Sequence, residues 1–218
     1  MRIIDVRQQS EEWEKWRARP TASEFHNFVT PVNGEYSKQA IAYASKIIAK
    51  QLGVYQEPPP SFWMDWGTEH EPNAKHAYTK QTGNEITDVG FVLPDNTDAY
   101  GGSPDGLIGD DGLIEIKCPK PETLIAYRAA GVLPKDYRPQ VQGLLMITQR
   151  AWCDFYVWHP QLKPFLLRVE ADDLYQLKIA KSLLKLLEEI KRQQPLNEKM
   201  QHELVSVSTM RSEVRFDD

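Results

Sequence analysis

Cysteine is almost absent from this chain: Cys118 and Cys153 stand alone among 218 residues and form no CxxC pair. That excludes a disulfide framework and a thiolate zinc site. No stretch approaches the roughly 18 uninterrupted apolar residues of a membrane helix. The opening MRIIDVRQQS has no basic stretch followed by an apolar run, so no secretory leader is expected. The expectation is a reduced, cytoplasmic protein with no membrane partner. An excess of positive charge is also missing. The formal net charge is -5, the wrong sign for a protein that coats nucleic acid. Carboxylates gathered around a bound cation would lower the net charge while reversing the local field. No repeat recurs at solenoid periods.

What the chain does have is 41% hydrophobic and 10% aromatic residues, enough for a packed core. The length suits one domain. A single domain over residues 1–218 is expected, with a polar tail after about residue 195. The proline run Glu57-Pro58-Pro59-Pro60-Ser61 prevents a helix but flanks nothing that reads as a second domain.

Helical patterning dominates the first third. A helix starts near Ser10 or Glu11 and carries Trp13 and Trp16, and Thr21-Ala22-Ser23-Glu24 reads as a second start. Ser37 to Leu52 is amphipathic through Ile41, Ala44, Ile48 and Leu52, with Gly53 as its stop. Trp66 to Gln81 reads as another helix, with a kink or late start at Pro72. The period then changes to two. Glu85–Leu93, Tyr100–Ser103, Leu107–Ile108 and Leu113–Lys117 read as strands, with Gly109-Asp110-Asp111-Gly112 as a hairpin loop. Helices at about Glu122–Ala130 and Asp136–Thr148 follow, then strands Trp152–His159 and Pro164–Glu170. Asp172 caps a long helix through Leu174, Leu177, Leu184, Leu187 and Ile190 that is expected to stop before Pro195. The layout predicts an α/β fold: a small mixed, curved sheet flanked by helices.

The chemistry concentrates in Gly102-Ser103-Pro104-Asp105-Gly106 and Leu113-Ile114-Glu115-Ile116-Lys117-Cys118-Pro119. Glu115 and Lys117 are two apart on a strand and share a face, while Ile114 and Ile116 point the other way. The hairpin brings Asp105 beside Glu115. Two carboxylates and an ammonium then converge, as a hard divalent cation and its waters require. The Ile116 carbonyl is a plausible further ligand. Lys117 beside a metal-bound water can orient or deprotonate it, and can offset phosphate charge. Any one of these residues alone is as well explained by a turn aspartate or an exposed strand pair. The conjunction, closed by Pro104 before Asp105 and Cys-Pro after Lys117, is the specific signal.

Written as Pro104-Asp105 … Glu115-Ile116-Lys117, this spacing resembles the PD-(D/E)xK nuclease motif, a restriction-endonuclease-like core. More narrowly, GGSPDG…LIEIKCP resembles the lambda-exonuclease, YqaJ-type viral recombinase branch. Trp13…Arg17…Thr21-Ala22-Ser23 is similar to that family's N-terminal helix and phosphate-binding segment. Trp66-Gly67-Thr68-Glu69-His70-Glu71 is similar to the helix whose last carboxylate joins the metal site. Tyr137-Arg138-Pro139-Gln140 is similar to the helix whose glutamine lies against the catalytic centre. The resemblance implies two Mg²⁺ ions per active site, or Mn²⁺ in their place, held by Glu71, Asp105, Glu115 and the Ile116 carbonyl. It implies catalytic roles for Asp105, Glu115, Lys117 and Gln140. It implies 5′-to-3′ digestion of double-stranded DNA, leaving a 3′ single strand for phage-type recombination in a host cytoplasm. It also implies a homotrimeric ring and a single-strand annealing protein as partner. Polarity needs a pocket for a terminal 5′ phosphate, and Arg17, Ser23 and Ser103 are its candidates.

Two other functions use the same residues: a PD-(D/E)xK endonuclease, and a catalytically inactive DNA-binding or assembly protein. His70 and His76, six apart, fit no zinc spacing. Cys118 alternates with Lys117 and reads as core, as do Trp63, Trp66, Trp152 and Trp158. Trp13 and Trp16 read as core, with stacking on DNA as the alternative. Lys120, Arg128, Lys135 and Arg138 are either solvated surface or a track for the phosphate backbone.

Overall fold

The computed structural model describes residues 1–213, with side-chain surroundings through residue 194. In chain order the elements are β1 (Arg2–Ile4), α1 (Glu11–Trp16), α2 (Ala40–Gln51), α3 (Phe62–Thr82), β2 (Phe91–Leu93), β3 (Gly106–Ile108), β4 (Gly112–Lys117), α4 (Pro121–Ala130), α5 (Arg138–Thr148), β5 (Trp152–His159), β6 (Leu162–Glu170) and α6 (Asp173–Glu213). Short 3-10 helices occupy Ala22–Asn27 and Lys135–Tyr137.

The central sheet runs β3-β4-β5-β6, and β1 pairs with β2 apart from it. Hairpins make β3/β4 and β5/β6 antiparallel, while β4 and β5 are parallel. A parallel neighbour needs a crossover, which α4 and α5 supply. The fold is therefore mixed α/β, as the sequence pattern predicts. The middle strands are buried on both faces, as covered parallel strands are. Leu113, Phe155 and Val157 pack with Phe25, Ala44, Ile47, Leu144 and Ile179 on one side. Ile114, Ile116 and Tyr156 pack with Ala74 and Tyr78 of α3 on the other. The hairpin loop turns at Gly109, with φ +51°. Arg150 pins it by donating to the carbonyls of Gly109 at 2.9 Å and Gly112 at 2.6 Å.

Several elements differ from expectation. Tyr100–Ser103 forms only bridges, Gly101 with Thr21 and Gly102 with Val92. A Cβ at Gly101 would lie 2.3 Å from the Phe91 ring, so the backbones cross closely here rather than forming a ladder. The strand expected at Glu85–Leu93 contracts to β2 and a bridge at Thr87. Helix α2 buries Ala40, Tyr43, Ala44, Ile47 and Ile48 and leaves Ile41 58% exposed. On α6 the buried stripe is Tyr175, Ile179, Leu183, Leu186 and Ile190, whereas Leu174, Leu177 and Leu184 face out. In both helices a tyrosine takes the core-facing position and rotates the apolar stripe away from the residues the leucines and isoleucines suggest. Helix α3 starts at Phe62, capped by Ser61, and passes through Pro72 to a left-handed Gly83. Helix α6 passes through Pro195. A proline removes one ladder donor, and the helical turns on either side keep both helices intact.

Candidate active site

Register builds the site. Gly106 pairs with Ile114 across the β3/β4 hairpin, so the residue before it, Asp105, lies opposite Glu115. Asp105 sits at the bend entering β3 rather than at the end of a strand. Gly106 is required there, because a Cβ would meet Ile86 Cγ2 at 2.2 Å. Alternation on β4 then brings Glu115 and Lys117 to one face, and Lys117 Nζ donates to Glu115 Oε1 at 2.5 Å. From α5, Gln140 Nε2 donates to the same oxygen at 2.6 Å. The Ile116 amide donates to Asp105 Oδ2 at 2.5 Å. Asp105, Glu115, Ile116, Lys117 and Gln140 are thus one connected constellation.

A cleft of about 420 Å³ opens over it, lined by Trp63, Met64, Gly67, Thr68, Glu71, Asp105, Ile116, Lys117, Cys118, Pro119 and Tyr137. Glu71 reaches it from α3 and ion-pairs with Lys75 at 3.0 Å. Burial, then the charges of Glu115 and Glu71, push the Asp105 carboxyl well above its ordinary range, against the pull of Lys117. Burial alone would lower the Lys117 ammonium, but Glu115 and Asp105 outweigh it and hold the group above its usual value. Lys117 is therefore cationic at neutral pH in this state. The Lys117 ammonium also lies 5.2 Å from the centre of the Tyr137 ring.

The donor set fits a divalent cation. Glu115 is 1% exposed, and its Oε2 has no hydrogen-bond partner. A buried carboxylate oxygen without a partner is costly, and a cation shared with Asp105 would satisfy it. As the side chains stand, no three His, Cys, Asp or Glu among the described residues are gathered tightly enough to enclose an ion. Glu71 is engaged by Lys75 instead.

None of the phosphate-pocket candidates, Arg17, Ser23 and Ser103, lines the cleft. Trp13 Nε1 donates to Ser103 Oγ at 2.8 Å, and the Arg17 guanidinium lies 4.5 Å from the centre of the Trp13 ring. Trp13 thereby joins Arg17 to Ser103. Ser23 follows the Thr21–Gly101 bridge, with its hydroxyl 3.3 Å from Thr21 Oγ1. Ala22 N donates to the Gly101 carbonyl at 2.9 Å, so the two segments run side by side. Arg17 also ion-pairs with Glu14 at 3.3 Å. His70 stacks on Trp66, with ring centroids 3.7 Å apart. Cys118 packs in the core cluster of Ile114, Ile116 and Tyr156, as expected, yet it also borders the cleft, and burial, then the charges of Glu71 and Asp105, push its thiol up to about 12.

Sequence reasoning missed three residues. Trp13 packs against the core cluster of Val6, Phe91 and Leu93 as expected, but its ring nitrogen is also a donor that must find a partner, which the core reading does not supply. Tyr137 stood inside the YRPQ segment with no role. Lys75 carried a signal that went unread, its i,i+4 spacing from Glu71.

The YqaJ-like viral recombinase domain model matches residues 12–151, well over half of the chain and every candidate from Arg17 to Gln140. The chain belongs to the YqaJ-like viral recombinase family. This family is a lambda-exonuclease-like branch of the PD-(D/E)xK superfamily, whose nucleases use divalent metal. An alkaline exonuclease from Laribacter hongkongensis, LHK-Exo, is 32% identical over 89% of this chain and 100% of its own, with a TM-score of 0.80. That protein is also solved in complex with dAMP. A phage-related exonuclease from Haemophilus somnus 129PT shares the fold over 84% of this chain and 96% of its own, at TM-score 0.62 and 14% identity. No curated protein matches the sequence. No helix among the described residues is long and apolar enough to cross a membrane.

Proposed function

We propose that this viral recombinase-like protein is a Mg²⁺-dependent exonuclease that digests one strand of double-stranded DNA from its 5′ end. The observation that carries the reading is the buried, unpartnered Oε2 of Glu115, opposite Asp105, beneath a cleft that Asp105 and Glu71 line. Asp105, Glu115, Glu71 and the Ile116 carbonyl would hold two ions. When bound, Mg²⁺ or Mn²⁺ would supply an activated water and neutralise charge developing on the phosphate.

The chain's own residues do the rest. Gln140 fixes the rotamer of Glu115 through its 2.6 Å bond. Lys117, cationic and flanked by the Tyr137 ring, offsets phosphate charge and orients the attacking water as a donor. Its position 2.5 Å from Glu115 and beside the cleft lets it either orient that water or take a proton from it. Arg17 grips a terminal 5′ phosphate through its planar fork, and the Ser23 and Ser103 hydroxyls donate to it. Polarity follows from that pocket, because the metals meet the same phosphodiester from either end. Family membership supports a homotrimeric ring on duplex ends and a single-strand annealing protein as partner. A ring needs basic residues only along its channel, which reconciles an acidic chain with DNA. Light scattering at micromolar concentration tests the trimer.

The deciding experiment uses linear duplex labelled at either end, with Mg²⁺ or with chelator. The 5′ label should be released first and only with metal. Release of the 3′ label first, or nicking of closed circular DNA at a comparable rate, would replace this reading with another nuclease activity.

A further inference from the structure

Glu71 stands between two cavities. One is the catalytic cleft. The other, of about 400 Å³, is bounded by residues that include Arg7, Gln8, Lys75 and Asp88, and Glu71 alone lines both. On the second side Lys75 Nζ lies 3.0 Å from Glu71 Oε1 and 2.8 Å from Asp88 Oδ1. Lys75 is one helical turn beyond Glu71 on α3 and so shares its face. Asp88 comes from the segment before β2 and is 80% exposed, so it is free to follow the ammonium.

Resting on the reading of Glu71 as a cation ligand, we propose that Lys75 is a positioning residue that governs when Glu71 joins the metal site. Without metal, Lys75 is the counter-ion of Glu71 and holds it off Asp105 and Glu115. When a divalent cation arrives, Asp88 retains Lys75 and Glu71 turns to the cation. An ammonium suits this exchange, being a compact charge with three donors on a flexible stem and no fixed fork to realign. The exchange also explains why Glu71 and Asp105, which line one cleft, and the buried Glu115 do not already enclose an ion. Pairing with Lys75 relieves their mutual repulsion, and release of Glu71 by an ammonium that Asp88 already holds at 2.8 Å restores the negative charge as the cation enters.

The two partners must then act in opposite directions. Lys75→Met removes the competing cation, so Mg²⁺ should bind about tenfold more tightly. Asp88→Asn removes the alternative carboxylate, so Lys75 keeps Glu71 and Mg²⁺ should bind about tenfold more weakly. Both lie within the usual range of coupling between sites. The readout needs no DNA: the melting temperature of the whole protein is followed through a Mg²⁺ titration, since a ligand of the folded state stabilises it by mass action. Melting in chelator reports folding of each variant. In a Glu71→Gln background, Lys75→Met should have no effect on affinity. Shifts of the same sign in both single variants, or no shift, while Glu71→Gln weakens binding, would overturn the exchange and leave the metal site standing. Unchanged Mg²⁺ affinity in Glu71→Gln itself would sink the ligand role of Glu71 and the exchange with it. If Lys75→Met does not fold, Asp88→Asn decides alone, and unchanged affinity there refutes the proposal.

Discussion

Replacing Trp13 with phenylalanine separates two jobs that the structure gives one side chain. The indole donates to Ser103 Oγ at 2.8 Å and presents its ring to Arg17, whose guanidinium lies 4.5 Å from the ring centre. Trp13→Phe keeps a ring beside Arg17 and deletes the hydrogen bond. A neutral hydrogen bond contributes about 1 kcal/mol net, or roughly fivefold at 1.4 kcal/mol per decade. Trp13→Leu deletes both. With about 0.5–1 kcal/mol for a partly exposed cation–π contact, the combined loss is about 1.5–2 kcal/mol, or roughly 10- to 30-fold. The quantity to measure is kcat/KM on duplexes with 5′-phosphate ends divided by that on 5′-hydroxyl ends. This ratio cancels the folded fraction, which matters because Trp13 also packs against the Val6, Phe91 and Leu93 cluster. The preference should fall about fivefold in Trp13→Phe and further in Trp13→Leu. Equal preferences in all three proteins would refute the linkage of Arg17 to Ser103 through Trp13.

Three further perturbations probe different parts of the structure. Asp105→Asn should end digestion yet raise the melting temperature in chelator by roughly 2–4 °C, the scale of 1 kcal/mol in a domain of this size. The sign follows from the carboxyl raised by burial, Glu115 and Glu71. Folding takes up a proton there, so this contribution to metal-free stability grows as pH falls from above the raised value toward the ordinary carboxylate range near about 4, and Asn removes it. Gln140→Leu loses a hydrogen bond to the buried Glu115 carboxylate at 2.6 Å. That bond is worth about 1.5–3 kcal/mol, so the melting temperature in chelator should fall, and kcat/KM on linear duplex per folded protein should drop roughly 10- to 100-fold as Glu115 loses its fixed rotamer. Tyr78→Phe removes the 2.6 Å bond to Asp154, a 2% exposed carboxylate also held by Arg168. Urea unfolding should show a loss of about 1.5–3 kcal/mol, while digestion by the folded protein stays normal.

Strand β4 and its candidate site residues were legible because their information is local. Alternation in Leu113–Lys117 sets which residues face the cleft, and the Gly109–Gly112 loop sets the register that carries Asp105 opposite Glu115. Gln140 was found through resemblance, since nothing in its own helix marks it. Strand β1 was not legible, because three residues have too little pattern and their partners Phe91–Leu93 lie far along the chain. The apolar faces of α2 and α6 differ from the sequence pattern because Tyr43 and Tyr175, amphipathic residues, hold core positions while Ile41 and Leu184 face solvent. The Arg17–Trp13–Ser103 linkage escaped detection for a similar reason. It joins residues 90 apart in sequence through a ring nitrogen, and spacing on one element cannot show such a contact.

The central claim is that Asp105, Glu115 and Lys117 form the catalytic centre of a DNA exonuclease. Mononucleotide release from linear duplex by the Asp105→Ala protein in Mg²⁺, set beside its binding to the same DNA ends, tests this most directly. Binding should largely survive while release falls by several orders of magnitude, the scale of losing a group the chemistry requires. Near-normal release by Asp105→Ala would contradict the account.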